Sequence, residues 1–321
     1  MSGCTNAPPP LQGTLALYQT EPVSLPYFET NGHHANKLVF LAGLTDTIGV
    51  VPYLPRLASA LDKIGYALVQ PVKGSDLGGF GTASLEGDAQ EAAQLIEHLT
   101  TRATHPASGK VVVMGHSTGC QDVVQLLSTD RRAAKGGDVN LRVHGGILQA
   151  PASDYDYFEA HKTEEEAQLL KKSEELIQTD QAQALLPRDG IPPKPSATHG
   201  RGPGNADTIT KPAFTAYRFQ SLNGSGGDDD FFSKDLSDEQ IRKALHPALS
   251  RAPLLMLIGE KDEYVPPSVD KVEQIKRYTA VLEGDPLRAL LVPNANHKVD
   301  DSEAQDKVCE AVIDFLSNLS E

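Results

Sequence analysis

Tryptophan is absent from this 321-residue chain, and methionine and cysteine occur three times each. No apolar run approaches the roughly 18 residues that a membrane-spanning helix needs. Each shortage excludes something. Cys4, Cys120 and Cys309 are odd in number and far apart, which excludes a disulfide framework and suits a reducing compartment. The opening MSGCTNAPPPLQG has neither the basic start nor the apolar stretch of a secretory signal, so a cytoplasmic location is expected. Positive charge is also short, with 29 Lys and Arg against 43 Asp and Glu and a formal charge of −14. That balance argues against nucleic acid or an anionic membrane surface as partner. HExxH, paired CxxC, the P-loop and the dinucleotide glycine fingerprint are all missing, so neither metal nor cofactor is expected.

What remains is an ordinary globular composition, 39% hydrophobic and 22% charged, on a chain long enough for one large domain with an insertion. Residues 1–13 read as a disordered arm carrying Pro8-Pro9-Pro10. Short strand-like pieces at Thr14–Tyr18 and Val23–Phe28 suggest an antiparallel edge. The continuous apolar run Lys37–Ala42 then has the pattern of a strand buried on both faces. A helix over Pro52–Ile64, a strand over Tyr66–Gln70, a helix over Ser84–Thr101 and strands at Lys110–Met114 and Arg142–Gln149 follow. Such alternation predicts an α/β fold with a doubly wound, mostly parallel sheet. From Ala150 to Arg251 the alternation stops. Ala160–Leu186 reads as helical and highly charged, and Gly190–Pro212 as loop. About a hundred residues are too many for a connector, so 151–251 is expected to be an inserted cap or lid. The core is then 14–150 and 252–321, with strands resuming at Leu254–Ile258 and Leu287–Val292.

Within this pattern, Val111-Val112-Val113-Met114 leads into Gly115-x-Ser117-x-Gly119, and a helix-compatible stretch follows. A serine on a sharp strand-to-helix turn is lifted clear of the sheet, and the flanking residues must be tiny because backbone passes close by. Ser117 is therefore the candidate nucleophile. A serine hydroxyl is inert without a base, and the base needs a carboxylate to hold its tautomer. Asp262 stands four residues beyond one late strand and His297 five beyond the next. Glu260 and Glu263 are the rival acids, while His33, His34, His199 and His246 read as surface histidines. The oxyanion of an acyl-transfer intermediate needs N–H donors. The backbone of Thr118 should supply one, and the loop after the first core strand the other, through Leu44 or alternatively Thr45.

These elements, together with Gly259-x-x-Asp262-x-x-Val265-Pro266 and Asn296-His297, resemble the α/β-hydrolase superfamily over nearly the whole chain. Two further segments resemble the fungal fusarinine-type siderophore esterases: Gly43-Leu44-Thr45-Asp46, and Tyr217-Arg218-Phe219 continuing to Gly227-Asp228-Asp229-Asp230-Phe231-Phe232. The resemblance implies a serine hydrolase of carboxylic esters, with an ester-linked hydroxamate siderophore as small-molecule substrate, cut inside the cell to release iron. It also makes Arg218, Asp229 and Asp230 candidate substrate contacts. Arg218 could instead bridge cap to core, and the aspartates could cap the segment that follows. A non-catalytic ligand-binding protein, or a lyase or acyltransferase built on the same residues, stays open at this point.

Overall fold

The computed structural model describes residues 9–129, 142–187 and 212–320. Residues 1–8 of the expected arm and most of the Gly190–Pro212 stretch, His199 included, lie outside the described residues.

Eight strands form one sheet in the order β1-β2-β4-β3-β5-β6-β7-β8. The hairpin β1 (Thr14–Gln19) and β2 (Leu25–Glu29) closes one edge, and β2 also runs antiparallel to β4 (Tyr66–Pro71). From there to the far edge, β4, β3 (Asn36–Leu41), β5 (Val111–His116), β6 (Gly145–Gln149), β7 (Leu254–Gly259) and β8 (Leu287–Val292) are all parallel. The expected doubly wound α/β sheet is therefore present. Every residue of β5 is buried, which is why its sequence opens on the continuous apolar run Val111–Met114 and does not alternate. Lys37 is the charged exception in β3. It is wholly buried, with its Nζ 2.7 Å from the Glu29 carboxylate.

Helices cover both faces. On one side α1 (Leu54–Lys63) and α9 (Ser302–Ser317) bury Leu57, Leu61, Val308 and Val312 against the sheet. Pro55, not Pro52, occupies the first turn of α1, where a missing N–H costs nothing. The opposite face carries α2 (Leu85–Thr101), α3 (Gly119–Ser128), α7 (Asp238–Leu249) and α8 (Lys271–Val281). Ser84 caps α2 by accepting the Gly87 N–H at 3.0 Å.

Between β6 and α7 lie α4 (Asp154–His161), which starts ahead of the stretch read as helical, and α5 (Glu164–Gln178), which falls within it. The break between them falls at Thr163, whose hydroxyl and Glu166 form a reciprocal capping box that starts a new helix. With α6 (Ala216–Asn223) they bury a separate small cluster, Phe158, Leu169, Phe214, Phe219 and Leu222. Phe80, from the glycine-rich loop after β4, sits in that cluster and is 3% exposed. Gly79–Gly81 is a 3-10 turn that carries this aromatic anchor.

Candidate active site

Parallel strands deliver their C-terminal ends to one edge of the sheet, and three loops from β5, β7 and β8 meet there. Ser117 directly follows β5 and has φ of +56°, the left-handed conformation that a serine adopts only under constraint. The glycines on either side have steric reasons to be glycine. A Cβ on Gly115 would lie 2.1 Å from the Gly119 carbonyl oxygen, and one on Gly119 would lie 2.3 Å from that of Leu41. Gly43 is equally confined, since a Cβ there would stand 2.7 Å from the Ser117 Cβ. The Ser117 N–H is anchored on the Gln149 carbonyl at 3.0 Å.

Asp262 and His297 reach the same place from β7 and β8. The His297 Nδ1 stands 2.9 Å from each Asp262 oxygen, and the two side chains are only 5% and 0% exposed. Asp262 Oδ1 also accepts the Tyr264 N–H at 2.9 Å, which fixes the carboxylate's rotation. The two rival acids hold the histidine's loop. Glu263 accepts the His297 N–H at 2.9 Å, and Glu260 accepts the Asn294 N–H at 2.8 Å. Only Asp262 faces the imidazole. Of the other histidines, His34 bonds Asp62 and His246 bonds Asp285, both at the surface.

Ser117 and His297 line one small cavity of about 50 Å³ with Leu44, Thr45, Asp46, His116, Tyr157 and Lys298 among their neighbours. Gly43 to Asp46 is a tight turn, closed by the Asp46 N–H on the Gly43 carbonyl at 3.1 Å, with Thr45 at φ +66°. Among the described residues, no backbone carbonyl takes the N–H of Leu44 or of Thr118. Among the described residues, too, no three His, Cys, Asp or Glu side chains gather as a metal site would require.

The remaining candidates lie elsewhere. Arg218 and Asp229 form an ion pair at 2.6 Å with 3% and 2% side-chain exposure. Ser221 adds a hydroxyl on Asp229 at 2.5 Å, and the Arg218 Nε donates to the Phe80 carbonyl at 3.0 Å. Asp230 accepts from the Ser233 N–H at 3.2 Å and the Ser233 hydroxyl at 3.0 Å. None of the three lines the Ser117 cavity. Arg218 bridges α6 to the loop after β4, and Asp230 caps the turn that follows it.

Four contributors carry no sequence signal of their own. Gln149 ends β6, and its side chain donates to the His297 carbonyl at 3.2 Å. Tyr264 lies with its ring 4.3 Å from that of His297. Lys298 bonds Asp46 at 2.9 Å and so ties the β8 loop to the β3 loop. His116, the residue before the serine, is wholly buried, and burial together with the adjacent His297 holds its imidazole well below the ordinary histidine range.

Behind the elbow, Lys73 is buried between Asp122 and Asp88 and donates to the Ala42 carbonyl at 3.3 Å. Burial alone would depress the lysine, but the surrounding aspartates outweigh it and raise its pKa. Asp76, in the same cluster, is pushed up to about 6 by burial, against the opposing pull of Lys73. The unfolded carboxyl titrates near 3.8 and the folded one at about 6, so the folded state holds an extra proton between those values. Stability therefore falls as pH rises through that window. Asp76→Asn removes the loss, and its stability relative to the unaltered protein should rise by about 2 kcal/mol between roughly pH 4 and pH 7. Urea unfolding at both pH values reads this directly. A constant difference would contradict the assigned burial cost.

A mostly parallel eight-stranded sheet, with a strained serine turn after β5 and an acid and a histidine after β7 and β8, defines an α/β-hydrolase. The family described as "Protein of unknown function (DUF1749)" matches residues 4–317, and this chain belongs to it. Esterase AN6793 of Emericella nidulans is 29% identical, over 91% of this chain and 88% of that protein. Fusarinine C esterase sidJ of Aspergillus fumigatus is 28% identical, over 96% of each. Among solved structures, the siderophore hydrolase EstB of Aspergillus fumigatus superposes with a TM-score of 0.76 at 26% identity, covering 97% of this chain and 98% of that one. The resemblance to siderophore esterases expected from the Gly43–Asp46 and Tyr217–Phe232 segments is thus met by named relatives.

Proposed function

We propose that this protein is a serine esterase that cleaves carboxylic esters through an acyl-enzyme. The observation that carries the reading is the imidazole of His297, held through Nδ1 by both oxygens of a buried Asp262 in the cleft where Ser117 is presented. With Nδ1–H given to Asp262, the Nε2 lone pair is available as base. Ser117 Oγ attacks the ester carbonyl while His297 takes its proton. The oxyanion is met by the N–H groups of Thr118 and Leu44, with Thr45 as the alternative donor. His297 then returns the proton to the departing alkoxide. Water, deprotonated by the same imidazole, hydrolyses the acyl-serine and regenerates Ser117. No step needs a metal or a cofactor.

For the substrate we take an ester-linked hydroxamate siderophore, on the strength of the activities in the relatives' names. Within the segment 151–251, the helices α4 to α6 act in this reading as the cap that selects among esters, while α7 packs on the sheet. Helices α4 to α6 cluster with Phe80, and Leu44 packs against them, so the oxyanion loop senses how the cap is seated. Cys120 and Cys309, the described cysteines, are buried free thiols, which suits the reducing cytoplasm we assign to it. The test is turnover of a panel of simple aliphatic esters alongside iron-free and ferric hydroxamate siderophore esters. The siderophore esters should exceed the simple ones in kcat/KM by at least about 100-fold, as expected when remote binding energy is used in the transition state. Turnover confined to simple esters would remove the siderophore assignment and leave the esterase standing.

A further inference from the structure

The cleft contains a pair of hydrogen-bond acceptors that the hydrolytic cycle leaves unused. One belongs to His116, whose Nδ1 is 2.7 Å from the Gln149 Oε1. Two other bonds set the orientation of that amide: its Nε2 donates to the His297 carbonyl at 3.2 Å, and its Oε1 accepts the Tyr53 hydroxyl at 3.0 Å. An amide oxygen only accepts, so His116 Nδ1 carries the hydrogen and Nε2 presents a bare lone pair. The wholly buried Nε2 has no hydrogen-bond partner among the described residues. It lies 4.0 Å from Asp46 Oδ2, while the other Asp46 oxygen is taken by Lys298. His116, Asp46 and Ser117 all line the same cavity.

A lone pair and a carboxylate oxygen cannot bond each other. At ordinary donor–acceptor lengths of about 2.8–2.9 Å, one donor atom can reach both acceptors at an angle of roughly 90°. We infer that His116 Nε2 and Asp46 Oδ2 form a specificity subsite that reads an N–H or O–H donor on the ester, close to its scissile bond. The subsite rests on the esterase reading above. A buried acceptor that goes unpaired when the donor is missing penalises the wrong ligand, which is how polar pockets reject isosteres. The depressed pKa of His116 suits the role, because a neutral imidazole keeps its lone pair across the physiological range.

The test uses matched ester pairs in which a hydroxyl or an amine, two or three atoms from the carbonyl on either side, is replaced by methyl. The unaltered protein supplies kcat/KM, and Ser117→Ala, which leaves esters uncut, supplies Kd by calorimetry. The donor-bearing member should be preferred about tenfold or more in both measurements, and His116→Phe should bring the ratio close to one. Asp46→Asn, which keeps the side chain's size, should lower the ratio as well and serves if His116→Phe does not fold. Amine and hydroxyl pairs run side by side identify which donor is read. A ratio near one for every pair, or one that survives both substitutions, overturns the subsite while hydrolysis itself continues. A Kd preference on a protein that cleaves no ester keeps the subsite and sinks the esterase reading instead.

Discussion

Ser117→Ala is expected to lower ester turnover by about 10⁴-fold or more, with little change in stability. The substitution removes one oxygen and nothing else. The Cβ of residue 117 already exists, so the left-handed backbone at φ +56° is no harder for alanine than for serine. The anchoring bond from the residue 117 N–H to the Gln149 carbonyl is also retained. What is lost is the atom that His297 would activate. Nucleophile and base act as one unit, so removing either loses most of what the unit supplies. Steady-state kinetics on a chromogenic ester, with a thermal melt beside them, separate lost chemistry from lost fold. Near-normal turnover by a folded Ser117→Ala protein would overturn the mechanism.

Asp229→Ala is expected to destabilise the fold by about 3–5 kcal/mol, although residue 229 stands outside the Ser117 cavity. Its carboxylate is the counter-charge of Arg218 and the acceptor of the Ser221 hydroxyl, and all three groups are buried. Alanine would leave a guanidinium out of water with, among the described residues, only the Phe80 carbonyl as hydrogen-bond partner. Urea unfolding measures the loss. The double substitution Arg218→Met with Asp229→Leu, which removes both charges, should recover most of it, because the penalty lies in the unpaired ion and not in the missing pair. If the double variant is as unstable as the single one, the stability resides in packing and the charge argument fails.

Much of the sheet was legible in the sequence because parallel strands buried on both faces must be continuously apolar, as Val111–Met114 and Leu254–Ile258 are. The convergence of Ser117, Asp262 and His297 was legible for a related reason. Strands that run parallel deliver their following loops to one edge, and the residues stand directly beyond β5, β7 and β8.

What stayed open or hidden has equally specific causes. The break between α4 and α5 did carry a local signal, Thr163-x-x-Glu166, but the uniformly charged stretch around it obscured the new start. Whether Arg218 and Asp229 meet substrate or serve the fold stayed open in the sequence. An exposed charged pair and a buried one look alike in a sequence, and only the packing of α6 against the Phe80 turn distinguishes them. Gln149 and Lys298 were invisible for the same reason. Each acts by reaching a neighbouring loop, Gln149 to the β8 loop and Lys298 to the β3 loop, across contacts of 148 and 252 residues in sequence.

Treatment with a fluorophosphonate, followed by peptide mapping, addresses the central claim most directly. The reagent gives up fluoride only to a hydroxyl that a neighbouring base deprotonates, inside a pocket that stabilises the resulting oxyanion. Ser117 is expected to carry a single phosphonyl adduct, formed in step with the loss of esterase activity and absent from Ser117→Ala and His297→Ala. An unmodified Ser117 in a protein that still hydrolyses esters, or an adduct on another residue, would contradict the assignment.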